Sequence, residues 1–471
     1  MPRLTATYQH PLATRWSAAG GPWHGGSLDD LLDGSGGPEL EARIDAVAGG
    51  LLAADVEPGA AVAWQLPNGP DAIALYRACW RLGAVAVPVH YRAGPAEVDD
   101  LLARVDPRVF VGQPGDVPTG APVPRGGRPA PVDPASLAVA LATSGTSGRP
   151  KLVLHTHRAL SHKTRVMADV HQLGRSDATI LAAPLAHISG LLNGVLLAHC
   201  GVRAIPMAAW DPDEALTLIR RERVTFMIGP PTFFVSLMDA RTFSPAAVAS
   251  LRQVSCGGAG VTPAFVREAS AAFDCRVKRT YGSTEAPTIT TSTLDDDPER
   301  AAETDGRPVG EAEVRLADGE LWVRGPELFA GYDDPAATEA AFDADGWFRT
   351  GDVGTIDADG WLTITGRLAD LIIRGGENVA PAEVEAVLEA HPTVRHAAVV
   401  GEPDRRLGER VCAFVVADDG FDLEECRRWF EAQGVTRFKW PERVERLAAL
   451  PLLPAGKADR EALRALLGSD G

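Results

Sequence analysis

The chain has 471 residues, of which 45% are apolar, enough for two or three ordinary domains with buried cores. Its 46 Lys and Arg against 63 Asp and Glu give a formal net charge of −17. Such a surface repels nucleic acid and anionic membranes, which both call for clustered basic residues, so an anionic substrate must be met by local positive groups or backbone N–H donors.

The N-terminal residues MPRLTATYQHPLATRW lack the apolar stretch of a signal peptide, and no apolar run approaches the length of a membrane span. Residues 16–37 are rich in Gly and Asp and read as irregular. Regular patterning is expected from Gly59: a strand at Ala61–Gln65, a helix at Pro70–Leu82 stopped by Gly83, a strand at Ala84–Val89, a helix at Pro95–Val105 and a strand at Arg108–Val111. Strands alternating with helices imply βαβ units and a parallel sheet. Gln113–Ser136, rich in Pro and Gly, reads as a loop. The alternation then resumes, with strands at Thr179–Ala182, Val202–Ile205, Thr225–Ile228, Gln253–Ser255 and Arg276–Lys278, and helices that include Pro212–Arg221 and Pro263–Phe273. From Glu311 the character changes. EVRLADGELWVRG and TIDADGWLTITGR each set a D-G between alternating runs, the mark of a β-hairpin. A smaller region begins near Arg367, with a helix at Pro381–Ala390 and strands at Ala397–Val400 and Val411–Val416.

Cys79, Cys200, Cys256, Cys275, Cys412 and Cys426 include no CxxC pair, which argues against a zinc site or a disulfide framework and for a reducing, cytoplasmic setting.

Five segments carry chemistry. In TSGTSGRPK, Thr143 to Lys151, Gly145 and Gly148 let backbone N–H groups approach an anion. Thr143, Ser144, Thr146 and Ser147 add hydroxyls and Lys151 a point charge, a composition suited to polyphosphate, though a lone Ser/Gly run reads equally as a flexible surface turn. It is not a P-loop, which needs Ser or Thr after Gly-Lys. In YGSTEAP, the Tyr281 ring can pack on a purine, Thr284 can bond phosphate and Glu285 can hold Mg²⁺, or the segment is a plain strand-end turn with a solvated Glu. In GWFRTGDVG, Asp352 can accept both hydroxyls of a ribose, or simply cap its own turn. GRLADLIIRGGENVAP supplies Arg367 for ribose or phosphate, or is only a linker running into a helix. PLLPAGKADR presents Lys457 on a loop bounded by Pro454 and Gly456, as a mobile positive charge or as a plain surface lysine.

In this order, and over nearly the whole chain from Leu66 onward, the five segments resemble the adenylate-forming superfamily of acyl-CoA synthetases, adenylation domains and luciferases. The resemblance implies an α/β fold with a large N-terminal domain (1–366) of parallel-rich sheets flanked by helices plus a small β-barrel-like part. A small mobile α+β C-terminal domain (367–471) would follow. It implies a phosphate loop of Thr143, Ser144, Gly145, Thr146 and Lys151, and an adenine site at Tyr281 and Gly282 beside Gly257, Gly258 and Ala259. Thr284 would contact phosphate, Glu285 and Thr146 would hold Mg²⁺, Asp352 and Arg367 would hold ribose, and Lys457 would be the adenylation lysine. Two positions depart from the pattern: Ala369, where the hinge usually has Asp or Lys, and Leu152, where many members have Gly.

PLAHISG resembles the start of the family's acyl pocket, with His187 where members gate the thiol route. The pocket implied is His187, Leu191, Asn193, Cys256, Gly257, Gly282 and Ile289, suited to an aromatic or medium-chain acid. No Asp stands in AHISGLLNG to bind an α-amino group. The expected activity is ATP-dependent conversion of a carboxylic acid to acyl-AMP, then transfer to CoA. Alternatives are loading of a carrier protein, activation of another oxyanion such as nitrite, and a non-catalytic nucleotide binder. Retention of both Glu285 and Lys457 weighs against the last.

Overall fold

The computed structural model describes residues 4–5, 8–18, 20–23, 25–127, 130–143, 150–258, 260–452 and 458–467. The first sheet holds β1 (Ala61–Trp64), β2 (Val85–Pro88), β3 (Val109–Val111), β4 (Leu137–Ala142) and β5 (Leu152–Thr156) in the order β3-β1-β2-β4-β5. All its pairs are parallel except β4 with β5. The helix Pro70–Leu82 has Pro at its first turn, and Gly83 ends it at φ +71°, a conformation that costs glycine nothing. Its Tyr76 and Trp80 are fully buried. Their polar ends are satisfied, Tyr76 donating to the Leu185 carbonyl at 2.6 Å and Trp80 to that of Ala138 at 3.0 Å. Burial of each such ring contributes about 2–3 kcal/mol. The expected helix Pro95–Val105 is present with those bounds.

The helix Gly37–Ala53 is not among the elements expected from the pattern. Its Leu40, Ile44, Val47 and Leu51 recur at helical spacing, but Gly49 and Gly50 look like breakers. Both glycines are packing sites: a Cβ on Gly49 would lie 1.9 Å from the Ala121 carbonyl oxygen, and one on Gly50 2.4 Å from the carbonyl carbon of Pro118. The 113–136 loop runs across this helix.

The second sheet holds β6 (Ala178–Leu181), β7 (Arg203–Pro206), β8 (Phe226–Gly229), β9 (Gln253–Gly257), β10 (Arg276–Tyr281), β11 (Thr290–Thr291) and β12 (Arg307–Pro308), in the order β12-β11-β10-β9-β8-β6-β7. Strands β6 to β10 pair in parallel, while β11 and β12 add antiparallel. The helices Pro212–Glu222 and Pro263–Phe273 cover one face, with Leu216, Ile219, Val266 and Phe273 packed against Met227, Val254 and Val277.

The third sheet is antiparallel: β13 (Glu313–Ala317), β14 (Glu320–Arg324), β15 (Phe348–Ile356) and β16 (Leu362–Arg367). Asp318 and Gly319 both have positive φ in its first turn, the backbone that a two-residue hairpin requires. A buried carboxylate joins this sheet to the second. Asp305 accepts from Arg279 at 3.0 and 2.8 Å and from the Ile364 N–H at 2.8 Å, tying β10 to β16. Removing one partner of such a pair costs about 3–5 kcal/mol.

The last sheet holds β17 (Ile372–Arg374), β18 (Glu377–Val379), β19 (Val394–Asp404), β20 (Gly408–Ala417) and β21 (Arg443–Arg446), ordered β18-β17-β20-β19 with β21 on β20. The helices Pro381–Glu389 and Leu423–Ala432 bury Val384, Leu388, Cys426 and Phe430 on one face. The helix Arg460–Leu467 places Leu463 on the other, against Val400 and Phe414. No helix among the described residues is long and apolar enough to cross a membrane.

Candidate active site

In parallel sheets the loops at the carboxyl ends of the strands form the binding crevice. The predicted residues gather at those ends. Thr143 follows β4 in the first sheet, and in the second Gly257 ends β9 and Tyr281 ends β10.

The segment Thr143–Lys151 joins the antiparallel pair β4 and β5. Its base is closed by Thr143, whose N–H and hydroxyl both donate to the Lys151 carbonyl, at 3.0 and 3.3 Å. Ser144, Gly145 and Thr146 lie outside the described residues. Two residues that the sequence did not reveal brace the base. Arg104 donates to the Pro150 carbonyl at 2.7 Å and pairs with Asp333 at 2.6 Å, while Asp333 accepts from the Leu152 N–H at 3.1 Å. The Lys151 ammonium sits 4.6 Å from the centre of the Tyr332 ring, and the Tyr332 hydroxyl donates to Glu285 Oε1 at 2.9 Å. Glu285 Oε2 carries no hydrogen bond among the described residues. A half-buried carboxylate held through one oxygen is the hard donor that Mg²⁺ takes, so the site fits that ion.

The turn after β10 holds Thr284 and Glu285. Ile289 N–H returns to the Tyr281 carbonyl at 2.8 Å, and Ala286 N–H bonds the Ser283 hydroxyl at 3.1 Å. His155 on β5 donates from Nε2 to the Thr284 carbonyl at 2.8 Å. Burial pulls its pKa down to about 4, so it is neutral and serves as a fixed donor. Gly282 has no room for a side chain, because a Cβ would lie 2.3 Å from the Thr288 nitrogen. Gly257 is equally confined, 2.4 Å from the Thr280 oxygen, and Gly258 turns at φ +78°. Ala259 lies outside the described residues.

Asp352 and Arg367 face each other across β15 and β16. The Arg367 Nε–H donates to Asp352 Oδ1 at 3.0 Å, and the Tyr281 hydroxyl donates to Oδ2 at 2.7 Å. Burial and the Asp352 charge push the Tyr281 ionisation far above its usual range, so it remains a donor. Three residues read separately from the sequence thus form one hydrogen-bonded cluster. Asp352 itself is nearly buried, while Arg367 remains half exposed.

His187 stands at the N-terminus of the helix Ile188–Gly194, its N–H bonded to the Pro184 carbonyl at 2.9 Å. Its ring lies 5.3 Å from that of His90, which the sequence reading did not single out and which stacks on Tyr91 at 4.9 Å. Asn193 is buried, its amide donating to the Ser189 carbonyl at 2.7 Å. Leu191, Cys256 and Ile289 are fully buried in three different apolar clusters. Lys457 lies outside the described residues. A surface hollow of about 530 Å³, lined by Arg267, Ser270, Arg276 and Glu299 among others, contains none of the predicted residues.

Comparison with known proteins gives the family and the fold. The AMP-binding enzyme family matches residues 38–333, and its C-terminal domain matches residues 383–457. The chain is 32% identical to a medium-chain fatty-acid–CoA ligase of Escherichia coli (strain K12), over 90% of this chain and 84% of the relative. It is 36% identical to the 3-[(3aS,4S,7aS)-7a-methyl-1,5-dioxo-octahydro-1H-inden-4-yl]propanoyl:CoA ligase of Mycobacterium tuberculosis, over 91% of this chain and 93% of the relative. Among solved structures, ATP-bound MatB from Rhodopseudomonas palustris superposes with a TM-score of 0.84 at 29% identity, covering 92% of this chain and 93% of that one.

Proposed function

We propose that this chain, which belongs to the AMP-binding enzyme family, activates a carboxylic acid with ATP and passes the acyl group to the thiol of CoA. The observation that carries the reading is the Tyr281–Asp352–Arg367 cluster, set beside the phosphate-type loop and Glu285 at the strand ends.

A carboxylate oxygen attacks the α-phosphorus of ATP, the bond to the bridging oxygen breaks, and pyrophosphate leaves with its electron pair. The thiolate then attacks the acyl carbon and AMP departs. Both partners in the first step are anions, so donors and cations placed where charge accumulates lower the barrier. In our reading Thr143, Ser144, Gly145, Thr146 and Lys151 hold the phosphates, with Thr284 adding a hydroxyl. Tyr281 lies against adenine beside Gly257, Gly258, Ala259 and Gly282. Asp352, which accepts from Tyr281 and Arg367, would also accept from the ribose hydroxyls, with Arg367 beside it. Glu285 and Thr146 would hold Mg²⁺, which when bound neutralises phosphate charge. Lys457 brings an ammonium to the reacting phosphate.

The acid is proposed to be aromatic or medium-chain, entering past His187. Asn193, Leu191, Cys256 and Ile289 shape the wall behind it, and the absence of an Asp in AHISGLLNG disfavours an α-amino acid. The names of the medium-chain and bicyclic-propanoyl ligases among its relatives support that class. The large part is proposed to end at Gly366, with residues 367–471 turning about Leu368–Asp370 between half-reactions. The change of sheet between β16 and β17 supports this. The same reading places the enzyme in the cytoplasm, where its six cysteines stay reduced.

The test is a panel of acids scored for pyrophosphate release from ATP, with and without CoA. Release that depends on the acid, with acyl-CoA formed when CoA is present, is the expected result. ATP turnover indifferent to every acid would defeat the reading, and acyl-AMP that ignores CoA would shift the acceptor to a carrier protein.

A further inference from the structure

The geometry points to Tyr332 as a positioning residue that holds the Lys151 ammonium and the Glu285 carboxylate apart, each ready for its own part of the nucleotide. The inference rests on the roles proposed above for those two residues.

Tyr332 is 4% exposed and is fixed from several sides. It bridges to Val153 on β5, its N–H bonds the Thr338 hydroxyl at 2.8 Å, and its ring packs edge-on against Phe329 at 4.8 Å. The next residue is Asp333, which braces the loop base through Arg104 and the Leu152 N–H. One short segment thus aligns the C-terminal end of the loop and reaches across to the turn after β10.

An ammonium and a carboxylate in one crevice attract each other, and a pair collapsed on itself would offer little to either phosphate or cation. No Lys151–Glu285 ion pair forms among the described residues. The Tyr332 ring takes the ammonium on its face at 4.6 Å, through the attraction of a cation for the negative face of the ring. The Tyr332 hydroxyl takes Glu285 Oε1 at 2.9 Å and leaves Oε2 unengaged among the described residues.

The test is calorimetric binding of ATP at graded Mg²⁺ without acid, so that nothing turns over. Wild type is compared with Tyr332→Phe, Tyr332→Leu, Glu285→Gln and the Phe/Gln double variant. Tyr332→Phe keeps the ring and loses the hydroxyl. It is expected to leave metal-free ATP binding unchanged and to raise the Mg²⁺ half-saturation about tenfold, as loss of a residue that orients a ligand does. Tyr332→Leu is expected to weaken metal-free ATP binding as well, by about three- to tenfold. In the Glu285→Gln background Tyr332→Phe should add nothing, since its effect passes through that carboxylate. If Glu285→Gln shifts the Mg²⁺ response and Tyr332→Phe does not, the inference is overturned while the proposed role of Glu285 stands. If Glu285→Gln leaves the Mg²⁺ response unchanged, that role itself fails. A second arm needs no Tyr332 variant. Lys151→Met should lower metal-free ATP binding and leave the Mg²⁺ half-saturation where it was. A shift there would mean that ring and carboxylate are not held independently, and would overturn the inference.

Discussion

Asp352 accepts hydrogen bonds from Tyr281, 71 residues before it, and from Arg367, 15 residues after it. The sequence shows each residue type in a suggestive motif. Their bonding to one carboxylate is set by the pairing of β15 with β16 and by the reach of β10, so no local pattern displays it. The same holds for Tyr332, Arg104 and Asp333, which lie outside the five motifs and enter the site through Pro150, Lys151, Leu152 and Glu285, distant in sequence. Replacing Asp352 by Ala leaves the Tyr281 hydroxyl without its acceptor and Arg367 without its counter-charge. The expected result is a loss of about 1–3 kcal/mol of stability and an ATP affinity reduced at least tenfold, read by thermal melting and by calorimetry. Wild-type ATP affinity in this variant would remove Asp352 from the nucleotide site. Lys457→Ala tests the division between half-reactions. Adenylate formation should fall about 10²–10³-fold, the usual cost of losing one group that stabilises developing charge, while a preformed acyl-AMP still reacts with CoA. Equal loss in both steps would contradict the proposed role.

At the level of elements, legibility follows from how local the signals are. The helices Pro70–Leu82, Pro95–Val105 and Pro263–Phe273 were read with their observed bounds because Pro fixes each first turn, and each stops at a residue in the left-handed conformation, Gly83, Asp106 or Asp274. Gly37–Ala53 escaped because its Gly-Gly pair answers to a loop some 70 residues away. Its meaning is tertiary. The turn from β10 into β11 is a related case at the site. Gly282 is required by the closeness of the Thr288 nitrogen and the Ala286 oxygen, 2.3 and 2.9 Å from where a Cβ would sit. Gly282→Ala must displace backbone, at a cost of about 1–3 kcal/mol or more. The shift would move Tyr281 and Glu285, which flank it. The expected outcome is a lower melting temperature together with loss of acid-dependent pyrophosphate release. Gly127→Ala, with only side-chain atoms of Pro124 at 3.5 and 3.6 Å, should be silent by comparison. If the two variants melted and turned over alike, the turn would not be setting the site.

On the scale of the whole molecule, the two parts that flank Arg367 meet at groups that titrate. Glu389, at the end of the helix Pro381–Glu389, is half-buried beside the hydroxyl of Thr262, the residue that caps the helix Pro263–Phe273 of the large part. Burial, helped by the nearby Glu385 carboxylate, raises the Glu389 pKa to about 7 against an ordinary value of 4.5, despite the Ala397 N–H at 3.1 Å. The sign of the linkage follows. Below pH 4.5 the carboxyl is protonated whether or not the parts are folded and docked. Between 4.5 and about 7 only the folded, docked state keeps the proton, so stability falls as pH rises. Above about 7 Glu389 is ionised in both states, and its favourable contribution has gone. Glu389→Gln supplies a neutral side chain of the same shape at every pH. The variant should therefore match wild type near pH 4.5 and melt at a higher temperature at pH 8, with the gap opening across the interval between. Because the burial includes Thr262, the same variant should also resist proteolysis in the segment 367–380 at pH 8 more than wild type does. Parallel melting curves for the two proteins from pH 4.5 to pH 8 would show that Glu389 does not keep its proton in the docked state.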